Sequence, residues 1–398
     1  MSEWKECKLG DVAEIVPGYA FKSEHFGEIG QSVVKITDIN PPYINVDGAK
    51  KVDLAFYNIE KLKKYFLRPN EFAVAMTGAT IGKVGKNISN ETVILNQRVA
   101  KISPLNSVDH HFIYYCIQGN DFQEFIQNNI DSHSAQENIS GTSIARFPIL
   151  LPPLPEQRAI AGVLSSIDDK IDLLHRQNKT LEGMAEALWR KIFVEEADPG
   201  WKKGKLGDYL QIQGGYAFKS SDFRDSGEIR IIKITNISDG LVDIVNTQFV
   251  DRKNVDNLDW KFKIITGSIL IAMTGAEIGK IGIVEKTDKE IWLNQRVGMF
   301  RETKKYGNLL GFFALNSDEG QEHILSSATG SAQANISSTG IGDFEMPIVP
   351  DSILYAFGIA VQPFFERICF NLGQIHTVSR LRDALLPKLM SGEVMVKL

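Results

Sequence analysis

Residues 156–193, EQRAIAGVLSSIDDKIDLLHRQNKTLEGMAEALWRKIF, decide how the rest of the chain is read. Ile160, Leu164, Ile167, Ile171, Leu174, Asn178, Leu181, Ala185, Leu188 and Ile192 follow one another in steps of four and three. That alternation keeps an apolar seam on one side of a helix, because its average step stays close to the 3.6 residues of one turn. The run holds no Pro and many good helix formers. At ~1.5 Å per residue it would extend roughly 55 Å, further than one small globular core covers. A second long helix is therefore expected beside it.

The chain supplies that second helix by repeating itself at an offset of 197–198 residues. Tyr19–Ser23 (YAFKS) returns as Tyr216–Ser220, and Val34–Ile39 (VKITDI) as Ile232–Ile237 (IKITNI). Ala75–Gly85 (AMTGATIGKVG) returns as Ala272–Gly282 (AMTGAEIGKIG), and Leu95–Val99 (LNQRV) unchanged as Leu293–Val297. Ser134–Ser140 (SAQENIS) returns as Ser331–Ser337 (SAQANIS). Moving the seam by the same offset gives Phe357, Val361, Phe364, Ile368, Asn371, Ile375, Val378, Arg382, Leu385 and Leu389, a second seam with two polar interruptions. The expected fold is α+β and internally duplicated: two mostly β domains joined by two long antiparallel helices with pseudo-two-fold symmetry. The segments are 1–155 (first domain), 156–197 (first long helix), 198–350 (second domain) and 351–398 (second long helix and C-terminal tail).

Composition narrows the function. The chain has 398 residues and a net charge of −5, so neither domain is basic enough to read alone as a nucleic-acid binder. A polyanion would need a local patch or help from partner subunits. The opening MSEWKECKLGD is polar and acidic rather than a secretory leader, and no apolar run is expected to reach the ~18–20 residues that cross a bilayer. Cys7, Cys116 and Cys369 lie far apart, which suits neither a disulfide scaffold nor a metal cluster and fits a reducing cytoplasm.

Within the first domain Ser32–Ile36, Phe72–Met76 and Thr92–Ile102 read as strands. His110–Asn129 reads as a helix weakened by Gly119–Asn120, with His110–His111 as its solvated start. Pro152, Pro153 and Pro155 form a stiff entry into the first long helix, where a missing N–H costs nothing. Near the end of the chain Pro387 is expected to kink or end the second helix near Leu386, leaving the seam loose beyond.

Two repeated motifs could carry chemistry. Gly78–Lys83 (GATIGK) and Gly275–Lys280 (GAEIGK) resemble a phosphate loop but lack its spacing and its Ser or Thr after the Lys. Gly78, Gly82, Gly85 and Gly275, Gly279, Gly282 then serve a turn between strands, in which Lys83 and Lys280 could approach a DNA phosphate. Asn96-Gln97-Arg98 and Asn294-Gln295-Arg296 combine amides suited to adenine with a guanidinium suited to guanine. The competing reading has the amides bracing the glycine turn. No catalytic set emerges: the seven His do not recur as pairs, and none has metal-ligand spacing. A duplicated scaffold without duplicated catalytic groups reads something twice.

In this order the motifs resemble the DNA-specificity (S) subunit of a type I restriction-modification enzyme. The resemblance covers essentially the whole chain. It rests on the glycine loop, on LNQRV, and on the passage from Asn138-Ile139-Ser140 through Phe147-Pro148-Ile149 to Pro152-Pro153-Leu154-Pro155-Glu156-Gln157-Arg158. The second copy departs at this helix entry, with Val349-Pro350-Asp351-Ser352-Ile353-Leu354.

The resemblance implies two target-recognition domains that bind a bipartite duplex target across an unspecified spacer. It also implies no catalysis by this chain and no cofactor bound to it. Two methylation subunits would use S-adenosylmethionine on adenine N6, and restriction subunits would use ATP and Mg to translocate and cleave DNA. The long helices would act as a ruler for the spacer. The alternatives are a specificity subunit of a type II-like methylation-cleavage complex, and a bivalent protein–protein adaptor that does not bind DNA.

Overall fold

A computed structural model describes residues 4–130, 137–238, 240–330 and 334–397. Asp239, His133 and the Ser-Ala-Gln of both SAQ repeats (134–136 and 331–333) lie outside the described residues. The chain forms two compact units, one of Met1–Asp169 with Ser379–Leu398, the other of Lys170–Val378.

The two units repeat one topology. In the first, a six-stranded sheet runs Ala13–Pro17, Val99–Pro104, Phe72–Ala75, Val84–Lys86, Tyr43–Ile44, Ile39–Asn40. A second sheet runs Phe26–Gly27, Lys51–Val52, Gln31–Val34, Val93–Leu95, Phe66–Leu67. In the second unit the six strands are Leu210–Gly214, Val297–Glu302, Ile269–Ala272, Ile281–Ile283, Gly240–Val242 and Ile237–Ser238. Its smaller sheet runs Gln248–Val250, Ile229–Ile232, Glu290–Leu293, Lys263–Ile264. Strands such as Phe72–Ala75 and Ile269–Ala272 are buried along their whole length, so they read as apolar runs without alternation.

Three local expectations change. The run Thr92–Ile102 is two strands in different sheets, because Val99 N–H donates to Asn96 O at 2.9 Å and closes a turn at the polar Asn-Gln-Arg triad. The helix in 110–129 breaks into His110–Cys116 and Asn120–Asn128 at the glycine that weakens it. His110 is not a solvated end: its ring packs 4.8 Å from that of Phe72, and burial, aided by His111, lowers its pKa from 6.5.

The first long helix spans Leu154–Arg190 and ends in a π turn at Lys191–Glu195; the second spans Asp351–Met390. Both contribute to both units, since the division falls at 169/170 and 378/379. Of the seam residues, Ile160, Leu164, Ile171, Leu174, Phe357, Val361 and Ile368 are buried. Ile167, Leu181, Leu188, Phe364, Ile375, Val378 and Leu385 are half-buried. The helices run antiparallel in the 170–378 unit, where Asn178 meets Asn371 and the rings of Phe193 and Phe357 lie 5.0 Å apart. In the other unit the polar interruption Arg382 reaches Asp168 at 3.3 Å, and Tyr115 OH donates to the other oxygen of Asp168 at 2.7 Å.

The second helix corrects two expectations. It does not end near Leu386 but continues through Pro387 to Met390, and Leu389 is buried with the first domain's core. Pro363 also lies inside it. Both prolines sit on exposed positions, as do Asp383 and Ile359, the residues whose carbonyls lose a donor, so water can serve those groups. This helix is also long and apolar enough to cross a membrane by length and composition alone. Leu354, Phe357, Val361, Phe365 and Cys369 spend much of that apolar surface in the core of the 170–378 unit.

Candidate nucleic-acid interface

The repeated motifs, spread over more than a hundred residues, are tied to one another through their main chains. In the first domain Tyr19 N–H donates to Leu95 O (2.9 Å), Asn96 N–H to Val34 O (2.9 Å) and Met76 N–H to Arg98 O (2.9 Å). Gly78 N–H donates to Glu137 O at 3.1 Å, and Ile139 N–H to Met76 O at 2.9 Å. The second domain reproduces every bond: Tyr216 to Leu293 (2.9 Å), Asn294 to Ile232 (3.1 Å), Met273 to Arg296 (3.0 Å), Gly275 to Ala334 (2.8 Å) and Ile336 to Met273 (3.0 Å). The repeat therefore preserves a backbone junction, which explains why its sequence is retained independently of what each domain binds.

The glycines of this junction have steric reasons. Gly78, Gly82, Gly275 and Gly279 hold φ between 72° and 83°, the left-handed region where a side chain is strained. Gly85 and Gly282 sit in strands where a Cβ would come within 2.8 Å of Tyr43 O and 2.5 Å of Leu241 O. Gln97 and Gln295 are exposed. The following helix braces the glycine turn, where Gln123 Nε2 donates to Gly82 O at 2.7 Å and Gln321 Nε2 to Gly279 O at 3.2 Å. Repetition at the same offset could have revealed Gln123 and Gln321.

The predicted contact residues fall on exposed turns. Gln97, Arg98, Gln295 and Arg296 are exposed, whereas Asn96 and Asn294 are half-buried and use their carbonyls to close the turn. Lys83 and Lys280, both exposed, stand at the ends of the glycine turns. The copies differ here: Lys280 Nζ lies 2.5 Å from the carboxylate of Glu277, where the first copy has Thr80. Part of the second copy's cationic charge is thereby neutralised locally.

Divergence between the copies singles out 38–70 and 236–267, with the charged run Lys61–Lys64 against Leu258–Lys261, as the segments that read bases, but does not reveal the exposed rings they carry. There Phe56 is 63% exposed and stacks on His25 at 4.3 Å, and Lys64 lies over the Tyr65 ring at 5.0 Å. In the second copy Trp260 is 73% exposed with Lys263 Nζ 4.2 Å above its ring. Exposed rings beside lysines offer stacking and charge together, but no fixed spacing announces them. Local structure differs as well, since the helical turn Ile59–Leu62 has no equivalent before Trp260–Phe262. Among the described residues no group of three or more His, Cys, Asp and Glu could hold a metal ion.

With this geometry in hand, comparison with known proteins gives a consistent answer. Residues 1–183 and 199–353 each match the family described as the type I restriction modification DNA specificity domain. The chain belongs to that family. It is 25% identical to the MjaIX specificity subunit of Methanocaldococcus jannaschii over 99% of this chain and 94% of that one. It is 20% identical to the HindI specificity subunit of Haemophilus influenzae over 99% of this chain and all of the other. Its fold is similar to the crystal structure of the type I S subunit from M. genitalium, with a TM-score of 0.61 and 16% identity over 98% and 96% of the two chains. Family and fold together make this a specificity component, the non-catalytic part of such systems.

Proposed function

We propose that this chain reads a bipartite duplex DNA sequence, one half-site per recognition domain, and carries the partner subunits that act on it. Two methylation subunits would modify adenine N6 with S-adenosylmethionine, and restriction subunits would translocate and cleave DNA with ATP and Mg, all in the cytoplasm. The observation that carries this reading is the split inside the duplication. The junction motifs are retained bond for bond, while the exposed ring-and-lysine segments 38–70 and 236–267 diverge. One scaffold holding two different surfaces suits two different half-sites, because phosphate contacts position a protein and variable base contacts specify.

The test is to co-express the chain with a methylation subunit and map N6-methyladenine genome-wide. The map should show a two-part motif with a fixed spacer. Replacing 1–155 by a second copy of 201–350 should convert one half-site to the other's sequence. A motif unmoved by that exchange would place recognition in the partners, and a chain with no DNA selectivity would be a protein–protein adaptor.

A further inference from the structure

Among the described residues only two Phe, Tyr or Trp rings are more than half exposed, Phe56 and Trp260, and each domain holds one. They do not occupy equivalent places. Leu67 pairs with Val93 and Ile264 with Ile291, and Val93 and Ile291 are repeat equivalents. Counting back from Leu67 and Ile264 sets Lys63 where Trp260 stands, each opening a short helical turn, Lys63–Tyr65 and Trp260–Phe262. The turn Leu54–Phe56, preceded by Asp53, answers Arg252–Asn254, preceded by Asp251, so Asn254 stands where Phe56 does. Each domain therefore presents an exposed ring of its own, inside the segment that diverges.

Both rings are held in the same manner. Phe56 lies face to face with the half-buried His25, 15° from parallel with centroids 4.3 Å apart, and His25 Nδ1 lies 2.7 Å from Tyr57 Oη. Lys263 Nζ sits 4.2 Å over the Trp260 ring. The turn that carries Trp260 is fixed at both sides: Lys261 N–H donates to Asp259 at 2.9 Å, and Arg301 donates to Lys261 O at 2.8 Å. One face of each ring is thus covered, and its exposure lies on the other face and the edge. The rims are cationic. Leu54–Leu67 carries three Lys against one Glu, and Arg252–Ile264 three Lys and one Arg against two Asp, an excess of two cations in each on a chain of net charge −5.

A large apolar ring left in water is unfavourable until a partner covers it, and a cationic rim favours a polyanion as that partner. Every base offers a flat π face to such a ring. Within a duplex those faces are hidden by stacking, so a ring reaches one only by opening a base step, as apolar wedges do. A ring with one face already covered suits stacking on a single base rather than threading between two. We propose that Phe56 and Trp260 each open one base step of their own half-site and stack on the base so exposed, so that each domain selects its half-site partly by how readily that step opens. This rests on the DNA-reading function proposed above. TA and CA/TG steps open most easily, and both contain a thymine.

The test compares the full chain with Phe56→Ala and Trp260→Ala, each assembled with its methylation subunit, on the mapped target and on a random-sequence duplex. Each variant should bind the target roughly 5–150-fold more weakly, the range for losing one stacked base, with little change on the random duplex. The slope of log K against log salt should stay at its wild-type value, because no phosphate contact is lost. Permanganate, which oxidises unstacked thymines, should mark one step in each half-site of the wild-type complex. Trp260→Ala should erase the mark in the second domain's half-site alone, Phe56→Ala the mark in the first domain's alone, and Trp260→Phe should keep both. Thermal midpoints should match the wild type, since both rings are exposed. Full affinity in both Ala variants, or marks that persist in both, would overturn the wedge and leave DNA reading intact. Equal losses on target and random duplexes would make the rings general DNA contacts, and release of the methylation subunit would make them protein contacts; either refutes the proposal. A wild-type complex that does not distinguish the target from the random duplex would instead overturn DNA reading.

Discussion

The buried asparagine pair of the long helices offers a quantitative test of how they recognise each other. Asn371 is fully buried and Asn178 is 6% exposed, with Asn371 Nδ2 donating to Asn178 Oδ1 at 2.8 Å. Replacing only Asn371 by Leu strands the Asn178 amide in an apolar seam, at a cost of about 1–3 kcal/mol. Asn178→Leu leaves the Asn371 amide only the longer contact of Nδ2 with Gln177 Oε1 at 3.5 Å. The double change leaves neither group stranded and fills both places with side chains of similar size, so it should be neutral or stabilising. The cycle should therefore show a coupling of about 2 kcal/mol, the double variant being more stable than the two singles predict. Tryptophan fluorescence during urea unfolding suits the measurement, because Trp189, Trp201, Trp260 and Trp292 lie in the 170–378 unit and Trp4 in the other. Additivity within about 0.5 kcal/mol would refute the pairing. A polar pair in such a seam gives up stability and gains a unique register.

Three further outcomes are expected. Seven residues inserted after Asp169 and after Val378 preserve the phase of the seam and lengthen each helix by ~10 Å, so the mapped spacer should grow by about three base pairs; an unaltered spacer would remove the ruler. Lys83→Ala should lower the salt slope of DNA binding by roughly 0.9 and Lys280→Ala by less, because Glu277 already neutralises Lys280; equal losses would contradict that asymmetry. His110 has a folded pKa below 6.5, so below that pH the unfolded chain binds more protons. Stability should fall as pH drops from 6.5 through the folded pKa and then level, a step that His110→Phe abolishes in urea midpoints measured against pH.

The sequence by itself determined the duplication and the two long helices, since both are periodic signals: an offset of 197–198 residues and a seam of four-three steps. Local punctuation was legible for similar reasons, as at the break beside Gly119 and the proline entry at 152–155, where backbone dihedrals depend on neighbouring residues alone. Only the tertiary structure decided what depends on which strands meet. It divided Thr92–Ile102 between two sheets and let Leu389 carry the second helix past Pro387, because core burial outweighs one lost donor. It set Gln123 against the glycine turn as a brace. It also left the rings of Phe56 and Trp260 standing in solvent. Nothing in a linear pattern records which ring stays uncovered. Burial is settled through strand pairing, and the register that sets Leu67 beside Val93, and Ile264 beside Ile291, belongs to the sheet.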